Sequence, residues 1–307
     1  MDEASPTWLS PWCTKVLGSA VQDVLFAASS VSKVYGVRLV DGRTAAVKSR
    51  PESVERIASV LAIQRQLAVR GFPCPLPLTA ASARGARTVH AEEYWPGGDV
   101  ARGDGPGVAA RFAVLLAEMA AMTDQIDATP PLPNPIWLQW DHSGAGIWPA
   151  YASYPGLIPG AAAPRNVEDV ARRVRARLRD VRLPLVIGHG DWESQNLRWR
   201  HDEPYVVHDW DSLCWLPEAA IVGAACGAFA SVEQPTLAPL ESSAAFLDVY
   251  EQARSRSLTV EEREVAWAAS LWLPAHNAYA EAMYGLPLVA TAQLTLQAEE
   301  RLRLAKA

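Results

Sequence analysis

The sequence predicts an α+β protein: a small, strand-rich first part followed by a larger, mainly helical second part. Three observations carry that expectation. Residues 22–48 alternate short β-branched and aromatic runs with turn residues. Residues 51–70 then hold one helical pattern. From Gly107 onward most of the apolar spacing is that of helices.

Taken in order, Val24, Leu25 and Phe26 open a strand that leads into the small-residue loop of residues 27–33. Residues 34–40 read as the next strand, Asp41-Gly42-Arg43 as a hairpin turn, and residues 44–48 as the return strand. Pro51 suits the first turn of a helix that runs to Arg70. Glu52 and Glu55 complement its N-terminal dipole, and Gly71 with Pro73 ends it. Val54, Ile57, Leu61 and Ala68 give it a partial apolar stripe. Residues 88–91 are strand-like and run into Glu92-Glu93-Tyr94-Trp95-Pro96-Gly97-Gly98, which by itself is a strand followed by a Pro-Gly turn.

Residues 107–122 are apolar and alanine-rich, as in a buried helix. Residues 129–165 are rich in proline, glycine and aromatics. The aromatics are enough to anchor the stretch, and long loops of this kind often form lids or substrate walls. A further helix begins at Asn166, a suitable N-cap, with Val167, Val170, Val174 and Leu178 on one face. Val206 and Val207 read as a short strand. Helices follow over residues 217–229, 241–255 and 259–284, with Trp267, Leu271 and Trp272 as core residues.

Bulk properties narrow the class. With 307 residues, half of them hydrophobic and a fifth charged, the chain can build two cores of a soluble globular kind. A net charge of -6 argues against nucleic acid as a main partner, because phosphate backbones select basic faces. It suits a cationic small molecule, and equally simple solubility. Cys13, Cys74, Cys214 and Cys226 have no metal-finger spacing and read as reduced, buried thiols of a cytoplasmic protein. The start MDEASPTWLSPW does not look like a signal peptide, and no apolar run reaches the ~18 residues of a membrane span.

The most informative segment is residues 187–211, IGHGDWESQNLRWRHDEPYVVHDWD. Asn196 follows Asp191 by five positions, and Asp209 follows Asn196 by thirteen. Phosphoryl transfer uses this arrangement: one carboxylate meets the hydroxyl nucleophile, while an amide oxygen and a second carboxylate hold magnesium on the nucleotide phosphates. A lone His-Gly-Asp would be an ordinary polar turn. The combination with Asn196 and a strand-borne Asp209 is far more specific.

The slots His189, Gly190, Asp191, Trp192 and Asn196 match the protein-kinase catalytic loop, with glycine where kinases carry arginine. With HDWD in place of the DFG triplet, the sequence resembles the aminoglycoside phosphotransferase and choline kinase family of small-molecule kinases. That resemblance implies a protein-kinase-like two-lobed fold, with an N-lobe over residues 1–95, a C-lobe over residues 96–307 and a hinge near residues 92–98. It also implies transfer of the γ-phosphoryl of ATP or GTP to a hydroxyl of a small, hydroxylated and in some relatives cationic acceptor, antibiotics among them, with Mg2+ as cofactor and no membrane partner. Asp191 becomes the catalytic base, and Asn196 and Asp209 the metal ligands. AAVKS resembles the kinase strand that ends in lysine, which makes Lys48 the phosphate-bridging residue. Ser29, Ser30 and Ser32 become candidate phosphate donors, and Glu93 and Tyr94 the hinge residues at the base edge. Trp192 and Glu193 are acceptor-site candidates by adjacency to Asp191. Asn277 and Glu281 join them because LWLPAHNAYAE resembles the late helix that lines the acceptor pocket.

Two departures stand out. Residues 27–33 contain no glycine, and residues 58–68 contain no carboxylate to pair with Lys48, so Glu55, Glu52 or neutral Gln64 must serve or nothing does. Both departures support an alternative reading as a nucleotide-binding pseudoenzyme, against which stand the intact Asp191, Asn196 and Asp209. A kinase of a primary metabolite, such as an amino sugar or amino alcohol, is a further alternative. A protein kinase fits less well, because the stretch between Asp211 and Pro217 is too short for an activation segment.

Overall fold

The computed structural model describes residues 6–29, 32–149, 158 and 161–307. Two compact units emerge. The first comprises Met1–Gly98, Ile126–Pro131 and Val206–Asp211, and the second Asp99–Gln125, Leu132–Tyr205 and Ser212–Ala307.

The first unit holds helix α1 (Leu9–Leu17), strands β1 (Val21–Ser29), β2 (Lys33–Leu39) and β3 (Thr44–Arg50), helix α2 (Val54–Val69), and strands β4 (Ser82–Arg84) and β5 (Arg87–Glu93). The strands form one antiparallel sheet in the order β1-β2-β3-β5-β4. Residues Tyr35, Val37, Ala45, Val47, Val89 and Ala91 alternate onto one face, where they make a core with Leu9 and Cys13 of α1. The opposite face is different: Gly36, Ala46, Lys48, Arg50, His90 and Glu92 share it by the same alternation. Gly36 is needed there because the Phe26 ring lies where its Cβ would be, at 2.1 Å. Residues 27–29, expected in a loop, instead extend β1, with Ala27 opposite Tyr35 and Ser29 opposite Lys33. The hairpin connection is therefore shorter than the sequence suggests. Helix α2 starts after Pro51, because Ser53 takes the N-cap and accepts the Arg56 N–H at 3.2 Å.

The second unit contains α3 (Pro106–Thr123), α4 (Arg165–Arg179), α5 (Glu218–Ala228), α6 (Leu240–Arg254), α7 (Val260–Tyr284) and α8 (Val289–Ala305). Strand β6 (Leu185–His189) pairs antiparallel with β9 (Leu213–Pro217). The hairpin of β7 (Leu197–Arg200) and β8 (Glu203–Val207) leads the chain back to the first unit at Val206. Helix α3 has the length and apolarity to cross a membrane, yet it packs on α6, with Phe112, Leu115, Leu116 and Met119 buried. A Thr259–Glu262 capping box fixes the start of α7. Gly223 and Gly227 let α5 lie directly on α7, since a Cβ at either would meet the backbone of Ala266 or Ser270. Asn166 does not cap α4 as expected; it sits inside the first turn, after Pro164, and donates to Thr295 Oγ1 at 2.9 Å. Helix α8 lies beyond the last helix that the pattern predicts, and Arg301 secures it. That guanidinium is fully buried and donates to Ser270 Oγ, Ser243 Oγ and the Ala238 carbonyl.

Candidate active site

In the first unit, chemistry gathers on the polar face of the sheet. Lys48 stands opposite His90 in the β3–β5 register, so Glu92 two residues on is its diagonal neighbour. Lys48 Nζ lies 2.9 Å from Glu92 Oε1 and 3.8 Å from Asp211 Oδ1, and all three side chains are buried. Gln64 of α2 completes the group. It donates to Glu92 Oε2 at 3.0 Å and to the Pro75 carbonyl at 2.8 Å. Burial alone would raise the Glu92 carboxyl, but the Lys48 ammonium and the hydrogen bonds from Gln64 and Lys48 bring it below the ordinary range. Burial pushes His90 down to about 4, so its ring is neutral.

The Asp209–Asp211 segment attaches to this unit through Trp210, which is fully buried, edge-on to Phe72 at 5.9 Å. Its Nε1 donates to the Val207 carbonyl, and the Val207 N–H donates to the Pro73 carbonyl. Asp209 has φ 57, a left-handed conformation that aspartate tolerates and that is common where a site is held under strain. The two acids differ in setting. Asp211 is buried against Arg50 and Lys48, and its carbonyl accepts from Arg56 at 3.0 Å. Asp209 is partly exposed and lies 3.4 Å from Arg50.

In the second unit, the loop after β6 carries Asp191. Gly190 leaves no room for a side chain, because a Cβ would meet Leu138 at 2.2 Å and the Ser212 carbonyl at 3.0 Å. That explains glycine at the slot where kinases carry arginine. The Gly190 N–H donates to Ser212 O at 2.8 Å, and its carbonyl accepts from Trp137 Nε1. His189 is buried and accepts the Asp191 N–H on Nδ1 at 3.2 Å. Asn196 Nδ2 donates to Asp191 Oδ2 at 2.8 Å and to the Asp191 carbonyl at 3.0 Å. The amide nitrogen is thus committed to Asp191, which makes Oδ1 the end suited to a cation. Among the described residues, no group of three His, Cys, Asp or Glu could hold a metal by itself. Asn196 in the second unit offers an amide oxygen and Asp209 in the first a carboxylate, each a hard donor of the kind that magnesium takes.

Other expected site residues fall in several places. Ser29 is exposed at the end of β1, Ser32 is buried, and Ser30 lies outside the described residues. Glu93 accepts from Trp95 Nε1 at 2.9 Å and from the Leu76 N–H at 3.1 Å. The Tyr94 ring lies 5.5 Å from Phe26. Trp192 and Glu193, expected at the acceptor site, are instead core braces of the loop. Trp192 is 1 % exposed and donates to the Phe112 carbonyl, while Glu193 is 3 % exposed and accepts from Gln195 Nε2. Glu281 is likewise occupied, because its carboxylate caps α8 by accepting from the Ala290 and Thr291 N–H groups and the Thr291 hydroxyl. Asn277 and Glu281 nevertheless both line an open pocket of about 260 Å³, with Glu233, Gln234 and Leu286. Sequence reasoning missed Glu92 as the partner of Lys48, and Arg50 and Arg56 as partners of the Asp211 segment. The register of β3 against β5 is the signal that would have found Glu92, since either Glu92 or Glu93 had to share the lysine's face.

A polar-faced antiparallel sheet with a buried lysine and an Asp191–Asn196 loop define a phosphotransferase of protein-kinase-like fold. Comparison with known proteins agrees. The model of the phosphotransferase enzyme family matches residues 24–255, and the chain belongs to that family. Comparison with curated proteins gives no sequence match. Among solved structures, an amicoumacin kinase in complex with AMP-PNP, Ca2+ and amicoumacin is 14% identical. The match covers 98% of this chain and 93% of that one, with a TM-score of 0.67. A putative fructosamine-3-kinase from Thermobifida fusca is 21% identical over 97% of this chain and 100% of its own, with a TM-score of 0.55. An aminoglycoside phosphotransferase from Alicyclobacillus acidocaldarius is 16% identical, with coverages of 99% and 97% and a TM-score of 0.56. At these identities the similarity is one of fold.

Proposed function

We propose that this small-molecule phosphotransferase moves the γ-phosphoryl group of ATP or GTP to a hydroxyl of a small polyhydroxylated acceptor carrying an amine, such as an aminoglycoside or another antibiotic. The observation that carries the reading is the Asp191–Asn196 pair, fixed at 2.8 Å on a loop too tight for any residue but glycine at position 190. Asp191 orients the acceptor hydroxyl and takes its proton as the oxygen bonds to the γ-phosphorus. The bond from that phosphorus to the bridging oxygen breaks, and the nucleoside diphosphate leaves. Lys48 holds the phosphates, and Asn196 and Asp209 are the oxygen donors for magnesium. When bound, magnesium would neutralise charge on the phosphate oxygens. His189 and Trp192 keep the loop in place, which matters because most of the rate enhancement of phosphoryl transfer comes from positioning and charge stabilisation. Phe26 and Tyr94 offer ring faces for the base.

The pocket beside Asn277 supports the choice of acceptor class. The segment entering it is tied to the catalytic loop, since the Gln195 N–H donates to the Ser231 carbonyl at 3.1 Å, two residues before the pocket residue Glu233. Glu233, which pairs with the exposed Arg102 at 3.0 Å, would exchange that partner for an amine, and Asn277 supplies an amide for hydroxyl groups. The test is magnesium- and nucleotide-dependent phosphorylation of a panel of hydroxylated antibiotics, amino sugars and amino alcohols, run beside Asp191→Asn protein. Turnover of one class that disappears in the variant is the expected result. Turnover that persists in the variant refutes the role of Asp191. Tight nucleotide binding with no turnover on any acceptor favours a pseudoenzyme.

A further inference from the structure

We infer that Glu92 of β5, braced by Gln64 of α2, is the positioning residue that aims Lys48 at the nucleotide phosphates. The inference rests on the phosphate role given to Lys48 above. Lysine carries its charge on a flexible four-carbon stem, so an ammonium that must meet phosphate oxygens needs a fixed counter-charge. The only carboxylate of helix α2 is Glu55 in its first turn, and the α2 residue at the contact, Gln64, is neutral. Instead the counter-charge comes from the neighbouring strand, 2.9 Å from Nζ, with its second oxygen held by Gln64. The contact is a built one. Lys48, Glu92 and Gln64 are 5 %, 2 % and 0 % exposed. A charge pair buried to that extent is unfavourable unless its geometry is tight and its remaining atoms are hydrogen-bonded.

The relocation has a mechanical consequence. In protein kinases the lysine pairs with a helix carboxylate, and movement of that helix switches the pair on or off. Here the carboxylate is fixed by the sheet. Its strand is hydrogen-bonded to β3 and β4, and Glu92 itself bridges Pro77. The charge that faces Lys48 is therefore set by the sheet, and α2 adds only the Gln64 brace.

The experiment compares calorimetric binding of Mg·AMP-PNP (or Mg·GMP-PNP, whichever binds) and of the bare nucleoside to the full chain. The proteins are wild type, Lys48→Ala, Glu92→Gln and Gln64→Leu. Glu92→Gln is expected to weaken the nucleotide about tenfold, the scale of one charge-assisted contact, and to leave the nucleoside within about twofold. Gln64→Leu, which keeps the charge pair but frees one carboxylate oxygen, is expected to weaken the nucleotide about threefold with the same nucleoside result. It carries the test if Glu92→Gln does not fold. A merely structural role would weaken nucleoside and nucleotide alike, and that result overturns the inference. Wild-type nucleotide affinity in Glu92→Gln beside a weakened Lys48→Ala also overturns it, and leaves the phosphate role of Lys48 standing. Unchanged affinity in Lys48→Ala removes that role, and the inference with it.

Discussion

Asp211 and Asp191 are both carboxylates of the same short segment, yet their surroundings are opposites. Asp211 is buried in the first unit between Lys48 and Arg50. Asp191, in the second unit, is partly exposed, and a neutral amide holds its carboxylate. Surrounding cations fix an acid in its charged form, where it serves as an anchor. A neutral amide that donates to a carboxylate also favours its charged form, though less than a buried cation does, and it fixes the orientation of the carboxylate. Two acids of identical side chain thus meet different partners, cations at one and an amide at the other.

The strongest way to break this contrast is at Asp191. Asp191→Asn is expected to lower turnover by about 10³-fold while leaving the melting temperature nearly unchanged, as activity assays and thermal melts would show. Asp211→Asn should do the reverse. It removes one carboxylate from the surroundings of two buried cations, and a loss of about 3 kcal/mol of stability is expected in urea unfolding. Equal stability of the two variants would erase the distinction. A smaller effect sharpens the comparison across pH. His90 in the first unit and His276 in the second are both pushed to about 4 by burial, against an ordinary value near 6.5. Between those values the unfolded chain binds more protons than the folded one. Stability should therefore fall as pH drops from about 6.5 toward 4, by up to about 1.4 kcal/mol per pH unit for each histidine, and stay flat above. His90→Gln should remove its share of that slope. Smallest of all is Glu281→Gln. This third carboxylate caps α8, and its change should lower stability by about 1 kcal/mol with nucleotide affinity intact.

The parts of the fold legible in the sequence are those with local signals. The hairpin around Gly42, helices α2 to α7, and the spacing from Asp191 to Asp209 all rest on short-range periodicity or turn chemistry. Helices α1 and α8 escaped, and what secures α8 is tertiary docking, as the buried Arg301 shows. The strands β6 and β9 escaped because they pair with each other across residues distant in sequence. In the site, the same divide recurs. Trp192, Glu193 and Glu281 look like functional polar residues in one dimension, but their contacts with Phe112, Gln195 and Thr291 give them structural work. Glu92 shows the converse: by sequence it opens the hinge segment, and only strand pairing reveals what it faces. One support for the pseudoenzyme alternative weakens accordingly, since the lysine does have its carboxylate.

The segment Val206–Asp211 belongs to the first unit although it comes late in the chain, and Ile126–Pro131 does the same. The polypeptide is therefore stitched between its units rather than joined once. A gene cut after Gly98 would encode a sheet bearing Lys48 and Arg50 without the Asp211 carboxylate that faces both. Such a half could not be inherited or exchanged as a free-standing module. Recombination that swaps whole lobes between relatives must keep the Asp209–Asp211 strip with the sheet it serves, so this architecture should diversify by substitution in place more readily than by shuffling.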